Sequence, residues 1–242
     1  MTFDSLVSEY DAGRLGYSND VYTTLAGYGL APSHAIVDIG CGTGLASGPL
    51  IENGYSVTGI DPSQPMLAVA QGRYPQAKWV RASAERLPFE DSSFDAAISA
   101  QALHHADQRA ALSEIVRILR PAGITAIWWK GLMSDDPVKQ LRDAVTADLG
   151  FAPLASAWRG GFKEFYTAGF SQTAIRVIPW STVTTLSRFM RYERSRKIVR
   201  ETFGAGAFEY FERLESRLRE TLGEGDPILP LSYTHFLYLA KK

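Results

Sequence analysis

One cysteine, Cys41, stands among 242 residues, so no disulfide can close within the chain. Histidine is scarce as well, at four residues, and no Cys/His cluster has the spacing of a metal site, so no metal is expected. Long apolar runs are missing: no stretch approaches the roughly 20 residues a membrane-crossing helix requires. Charge of one sign is also lacking. Twenty-five Lys and Arg against 26 Asp and Glu leave a net charge of −1, so neither nucleic acid nor a membrane surface is expected as a partner. The opening residues, MTFDSLVSEYDAG, carry acids and no basic stretch, which does not fit a secretion signal and predicts a cytoplasmic location. The remainder is an ordinary globular composition, 45% hydrophobic and 21% charged, without repeats. Its length suits one large domain carrying an inserted lid.

What is present is a dense stretch reading VDIGCGTG, Val37 to Gly44. Ile36, Val37 and Ile39 are β-branched, which predicts a strand buried on both faces. Gly40, Gly42 and Gly44 follow in alternation, permitting a tight turn with positive φ against which a ligand can rest. A helix is expected from about Leu45 to Asn53, then a second strand over Tyr55–Ile60 ending at Asp61. In an open α/β sheet, ligands bind beyond the carboxyl ends of the strands, beside the first glycine-rich turn. A carboxylate at Asp61 is placed to accept both hydroxyls of an adenosine ribose. A dinucleotide fingerprint would need a third Gly or Ala at Leu45 or Ser47, and neither register fits.

The spacing G-x-G-x-G preceded by Asp38 resembles the first motif of the class I S-adenosylmethionine-dependent methyltransferases. The likeness continues in order through GIDPSQPML (Gly59–Leu67), ASAERLPFEDSSFD (Ala82–Asp95), ISAQALHHAD and ILRPAG (Ile118–Gly123). It implies a Rossmann-like, doubly wound α/β fold. The sheet would have seven strands, mostly parallel with an antiparallel seventh, and a helical lid insertion. Strands are predicted at about 35–39, 55–60, 78–81, 94–99, 124–129, 175–180 and 233–240, with helices over Arg109–Leu119 and Pro137–Leu149. The segment between the sixth and seventh strands is too long for a structureless connection. It reads as two helices, Val183–Phe203 and Ala207–Leu222. The second places Phe208, Phe211, Leu214 and Leu218 on one face, with Glu209–Arg213 and Glu215–Arg219 pairs outside. A single domain is therefore expected, with its core at about 30–180 and 228–242, a lid at 181–227 and a helical lead-in at 1–30.

The resemblance assigns cofactor contacts. Gly40, Cys41, Gly42 and Gly44 would lie against the methionine part and ribose, with Asp38 acting indirectly at the amino group. A buried Asp38 demands a partner. Asp61 and Pro62 close the second strand, Ser63 is a plausible helix cap, and Met66 could pack the adenine face. Ser83, Ala84 and Glu85 stand where many relatives have Asp-Ala-Glu. Ala84 would donate its backbone N–H to adenine, Ser83 would accept more weakly than a carboxylate, and Glu85 could brace the turn. Gln101 is expected beside the cofactor. In the lead-in, Y-D-x-x-R-x-x-Y nominates Tyr10 and Arg14 for the cofactor and Tyr17 for the substrate; the competing reading is packing tyrosines and a solvated arginine.

His104 aligns with the histidine of the A-Q-x-x-H-W-x-D pattern of trans-aconitate methyltransferase-like proteins, to which the chain is loosely similar. His104 or His105 is nominated as general base, since imidazole accepts protons near neutrality; a helix-start histidine on backbone carbonyls is the alternative. Trp129, Trp158, Arg159, Arg188 and Arg191 are nominated for the acceptor, because aromatics with a few cations suit a planar or carboxylated small molecule. Most of the arginines from Arg188 to Arg200 are expected on a solvated face. The function implied is transfer of a methyl group from S-adenosylmethionine to a small molecule, at oxygen of a carboxylate or hydroxyl, releasing S-adenosylhomocysteine. The alternative is a regulatory module that binds these ligands without methyl transfer.

Overall fold

The computed structural model describes residues 7–154 and 162–242. In chain order the elements are α1 (Val7–Gly13), α2 (Asn19–Tyr28), β1 (Ala35–Ile39), α3 (Ser47–Glu52), β2 (Ser56–Asp61), α4 (Gln64–Arg73), β3 (Lys78–Arg81), β4 (Phe94–Ala100), α5 (Gln108–Ile118), β5 (Leu119–Leu132) and α6 (Pro137–Asp148). There follow α7 (Phe162–Ala168), β6 (Gln172–Thr185), α8 (Leu186–Ser195), α9 (Lys197–Phe203), α10 (Ala207–Leu222) and β7 (Ile228–Lys241). None of the described helices is long and apolar enough to cross a membrane.

The strands form one seven-stranded sheet in the order β3-β2-β1-β4-β5-β7-β6. It is mostly parallel, with β7 antiparallel. Met133 donates to the Ser232 carbonyl and Lys242 to the Gly123 carbonyl, so β7 recedes as β5 advances. The chain builds outward from β1 through β2 to β3, then crosses to β4 on the other side of β1. That reversal makes the carboxyl ends of β1 and β4 the topological switch point, the place where such sheets take ligands.

The chain divides into two compact units. The sheet unit comprises residues 16–130, the described part of 157–178, and 235–242. Alternation along β1 sends Val37 and Ile39 into one apolar cluster with Leu112 and Ile115 of α5, and Ile36 into another with Leu25 of α2 and Leu50 of α3. Both faces are covered, which is why β1 reads as a continuous apolar run rather than an alternating one. Full burial of each such side chain stabilises by roughly 1.5–3 kcal/mol.

The helical unit comprises the described parts of 1–15 and 131–156, with 179–234. It therefore draws on more of the chain than the 181–227 segment between the sixth and seventh strands. On α8, Leu186, Phe189, Met190 and Glu193 are buried at helical spacing; on α10, Ala207, Tyr210, Phe211, Leu214 and Leu218 are. The face expected on α10 is corrected at Phe208, which is 69% exposed. Tyr210 takes the inward place, its hydroxyl donating to Glu193 Oε2 at 3.1 Å. The two outside pairs form as expected, Arg213 to Glu209 and Arg219 to Glu215.

Other boundaries also move. The helix expected from Leu45 starts at Ser47, because the glycine turn occupies the preceding residues. The helix expected from Val183 to Phe203 is three pieces. β6 runs on to Thr185, whose hydroxyl accepts from Arg188 N to start α8, and the extended backbone at Arg196 separates α8 from α9. Strands β5, β6 and β7 each reach 14 residues.

Candidate functional site

The glycine turn is built as the residue types require. Gly40, Gly42 and Gly44 adopt φ of 71°, 55° and 81°, left-handed conformations that cost a Cβ-bearing residue on the order of 1 kcal/mol or more. A Cβ on Gly40 would collide with the Ala102 methyl, so this glycine also admits the turn after β4 into close approach. The Gly40 and Cys41 amides both donate to the Ile60 carbonyl, at 2.8 and 3.0 Å, pinning the turn to the end of β2. Cys41 is buried, and burial, then Asp38 and Asp61, push its thiol up, which makes it an inert small residue rather than a nucleophile.

Asp38 is fully buried. Its Oδ2 accepts from the Ser47 hydroxyl at 2.6 Å, the partner that burial demanded, while Oδ1 is buried with none among the described residues. Burial pushes this carboxyl up to about 7, Ser47 opposing and Asp61 adding to the rise. Such a lone pair, kept inside the fold and left open by the chain, suits a cationic ligand group.

Asp61 ends β2 with both carboxylate oxygens oriented by backbone: Gly42 N donates to Oδ2 at 2.9 Å and Ser63 N to Oδ1 at 2.8 Å. The two amides together orient the Asp61 carboxylate at the end of the strand. Ser63 caps α4, accepting from Met66 N at 3.3 Å; Met66 is buried and Pro62 exposed. Beside them, Ala82 N donates to the Asp61 carbonyl. Ser83 is exposed, Ala84 half-buried, and a bridge between Ser83 and Arg86 closes the turn. Glu85 braces: its Oε1 accepts from Asp107 N at 3.0 Å, and Asp107 in turn caps α5.

Beyond β4, Gln101 holds φ of 57°, unusual for a residue with a side chain. Two hydrogen bonds fix it there, its N to the Trp128 carbonyl at 2.9 Å and its Nε2 to the Lys130 carbonyl at 2.8 Å. A short 3₁₀ turn, Leu103–His105, then brings the His104 and His105 rings to 3.8 Å between centroids. Trp129, nominated for the acceptor, is buried, 5% exposed, its indole N–H donating to His104 Nδ1 at 3.1 Å. Tyr17 packs edge-on to Trp128, with Lys130 Nζ 5.1 Å from its ring centre and bonded to the Gly16 carbonyl at 2.6 Å. His235 is buried beside Tyr17; burial, then the Lys130 ammonium, push its imidazole down to about 4.

Tyr10, Arg14, Arg188 and Arg191 belong to the helical unit. The Arg14 guanidinium lies 4.7 Å from the Tyr10 ring and 5.9 Å from Tyr192, and its carbonyl accepts from Arg188 Nη2 at 3.1 Å. Gly13 lets α1 touch the Tyr192 backbone, where a Cβ would clash. Arg188 and Arg191 are exposed, whereas Arg196 turns inward to Glu193. Trp158 and Arg159 lie outside the described residues.

Sequence reasoning missed several supports of the turn. Tyr22 donates to the Ala46 carbonyl at 3.1 Å, and Tyr74 and Trp79 fill the space over Gly44, Gly48 and Gly59. The available signal was the pair of further glycines, Gly48 and Gly59, whose missing Cβ atoms make room for those rings.

The methyltransferase domain family matches residues 37–127. An uncharacterised methyltransferase of Mycobacterium tuberculosis is 35% identical over 129 residues, 53% of this chain and 52% of the relative. A demethylmenaquinone methyltransferase of Beutenbergia cavernae is 34% identical over 132 residues, 50% and 53% of the two chains. The chain thus spans about half the length of the curated relatives it matches. Among solved structures, a protein of Anaeromyxobacter dehalogenans provisionally named a type II methyltransferase superposes with a TM-score of 0.68 at 25% identity, covering 94% of this chain and 97% of that one. The likeness to phosphoethanolamine N-methyltransferase 2 of Haemonchus contortus, solved with S-adenosyl-L-methionine, is one of fold: TM-score 0.58, 18% identity, 99% and 57% coverage. Residues 37–127 are thus similar to a methyltransferase domain, and the seven-stranded sheet has the fold of the methyltransferase structures on which it superposes.

Proposed function

We propose that this protein transfers a methyl group from S-adenosylmethionine to a small-molecule acceptor, at oxygen of a carboxylate or hydroxyl. The observation that carries the reading is the Asp61 clamp at the switch point: a carboxylate oriented by two backbone amides beside a left-handed glycine turn. Asp61 would take the ribose hydroxyls, and Asp38, with one oxygen open and buried, would favour the cationic amino group. When bound, the cofactor supplies a sulfonium methyl: the acceptor's lone pair forms the new bond to carbon while the carbon–sulfur pair stays on sulfur. The protein's own work is to align the acceptor and exclude water. Gln101, held at positive φ, and the His104–His105 turn border the place where the acceptor would meet the cofactor. The near-neutral charge supports a small acceptor over a nucleic acid.

Calorimetric titration with S-adenosylmethionine, S-adenosylhomocysteine and NADH tests the cofactor. Binding of both sulfur ligands without NADH is the expected result, with Asp61→Ala weakening them about tenfold or more through lost hydrogen bonds. Unchanged affinity in that variant would remove Asp61 from the ribose. Labelled methyl transfer onto carboxylates and phenols then tests the acceptor class.

A further inference from the structure

We infer that Trp129 is a positioning residue that fixes His104 as a hydrogen-bond donor, so that the acceptor is one that surrenders no proton to His104. The inference rests on the methyl-transfer reading for its substrate class, but not for its geometry. An indole nitrogen can only donate. With Trp129 Nε1 at 3.1 Å from His104 Nδ1, that imidazole nitrogen must be the acceptor, and the neutral ring carries its hydrogen on Nε2.

Two consequences follow. A general base would have to take a proton at Nδ1, the nitrogen already engaged, because Nε2 holds one. Protonating Nδ1 would set N–H against N–H and break the bond to a side chain that is 5% exposed and cannot turn away. The neighbouring ring adds a second obstacle. His105 lies 3.8 Å from His104 between centroids, so an imidazolium at His104 would face like charge whenever His105 is protonated.

The turn that carries His104 is itself held in place. Ala102 packs on Gly40 of the glycine turn, and Gln101 is bonded to the backbone of β5 on both sides of Trp129. The strand that supplies the indole thus also anchors the loop that supplies the imidazole. A fixed Nε2–H suits an acceptor whose nucleophilic oxygen is already anionic. A carboxylate fits: its charge is drawn to the donor, no proton needs removing, and methylation leaves a neutral ester. A neutral hydroxyl that must lose its proton to His104 does not fit.

The test uses the full chain with ¹⁵N-labelled histidine at pH 8, His104→Gln identifying the His104 signals. The expected spectrum has His104 Nδ1 unprotonated and Nε2 protonated; the opposite tautomer or an imidazolium overturns the inference. Trp129→Phe should relax His104 toward the free-imidazole tautomer mixture, and an unchanged spectrum would deny Trp129 its role. Should that variant not fold, His104→Ala must move the Trp129 indole N–H resonance, and a stationary resonance counts equally against the bond. In turnover on a carboxylate acceptor, His104→Gln keeps a donor but no base. It should stay within about tenfold of the unaltered protein, with His104→Ala lower, whereas loss of a true base costs about a hundredfold or more in both. Failure of the methyl-transfer reading would appear separately, as absent cofactor binding by the unaltered protein, and would leave the tautomer result standing.

Discussion

The sheet unit buries Asp38 and the helical unit buries Glu193, each without solvent exposure. The helical unit surrounds its carboxylate completely: Arg142 Nη1 lies at 3.3 Å, Arg196 Nη1 at 3.0 and 2.9 Å from the two oxygens, and the Tyr210 hydroxyl at 3.1 Å. Burial works to raise the Glu193 carboxyl, but the two guanidiniums outweigh it and hold it below the usual range. Asp38 is given one hydroxyl and no counter-charge, and burial prevails. A buried carboxylate completed by its own chain is part of the architecture. One left half-completed, at the switch point of a sheet and two residues before a glycine turn, is where the proposed function puts the cationic end of a ligand.

The contrast can be broken by experiment, and the largest effect is expected at Glu193. Glu193→Gln leaves Arg142 and Arg196 without their buried counter-charge and should cost about 3–5 kcal/mol in chemical denaturation. A loss below about 1 kcal/mol would mean that the network does not hold the helical unit together.

The pH dependences should have opposite signs. Asp38 is raised in the folded state, so its contribution is full below the unfolded value near 3.8 and is lost as pH rises through about 7. Stability of the ligand-free protein should decline over that window by at most about 1.4 kcal/mol per pH unit from this group. Asp38→Asn should flatten the decline, and thermal melts between pH 4 and pH 7 would show a persisting slope if another group caused it. Glu193 is lowered, so its contribution is present above the ordinary glutamate value and lost as acid titrates through the folded one. Acid below the ordinary glutamate range should therefore act on Glu193, and Glu193→Gln should remove that component.

The smallest effect sharpens the comparison from the sheet side. Ser47→Ala withdraws the hydroxyl that favours ionised Asp38 and should cost about 1 kcal/mol. It should also extend the stability decline to higher pH, which repeated melts would reveal; an unmoved window would deny Ser47 its part in tuning Asp38.

The sheet unit was far more legible than the helical one, for a physical reason. A strand buried on both faces, a turn requiring positive φ and a helix cap each impose residue types over a few consecutive positions. VDIGCGTG, Asp61 and Ser63 could therefore be read locally, and β3 is found at the expected residues 78–81. In the helical unit the deciding contacts join distant segments: Arg142 to Glu193, Arg14 to Arg188, Gly13 to Tyr192. Periodicity alone put Phe208 on the inward face of α10. The polar reach of Tyr210 to a glutamate 17 residues earlier put it outside.

The sequence by itself determined the order of the βα units, the glycine turn and the acid at the end of β2, since short-range sterics and hydrogen bonding dictate them. Tertiary structure alone decided which polar atoms find partners. It left one oxygen of Asp38 open, closed every side of Glu193, and set the Trp129 indole on His104. Those outcomes depend on which side chains from remote parts of the chain reach the same few cubic ångströms, and no local pattern records that.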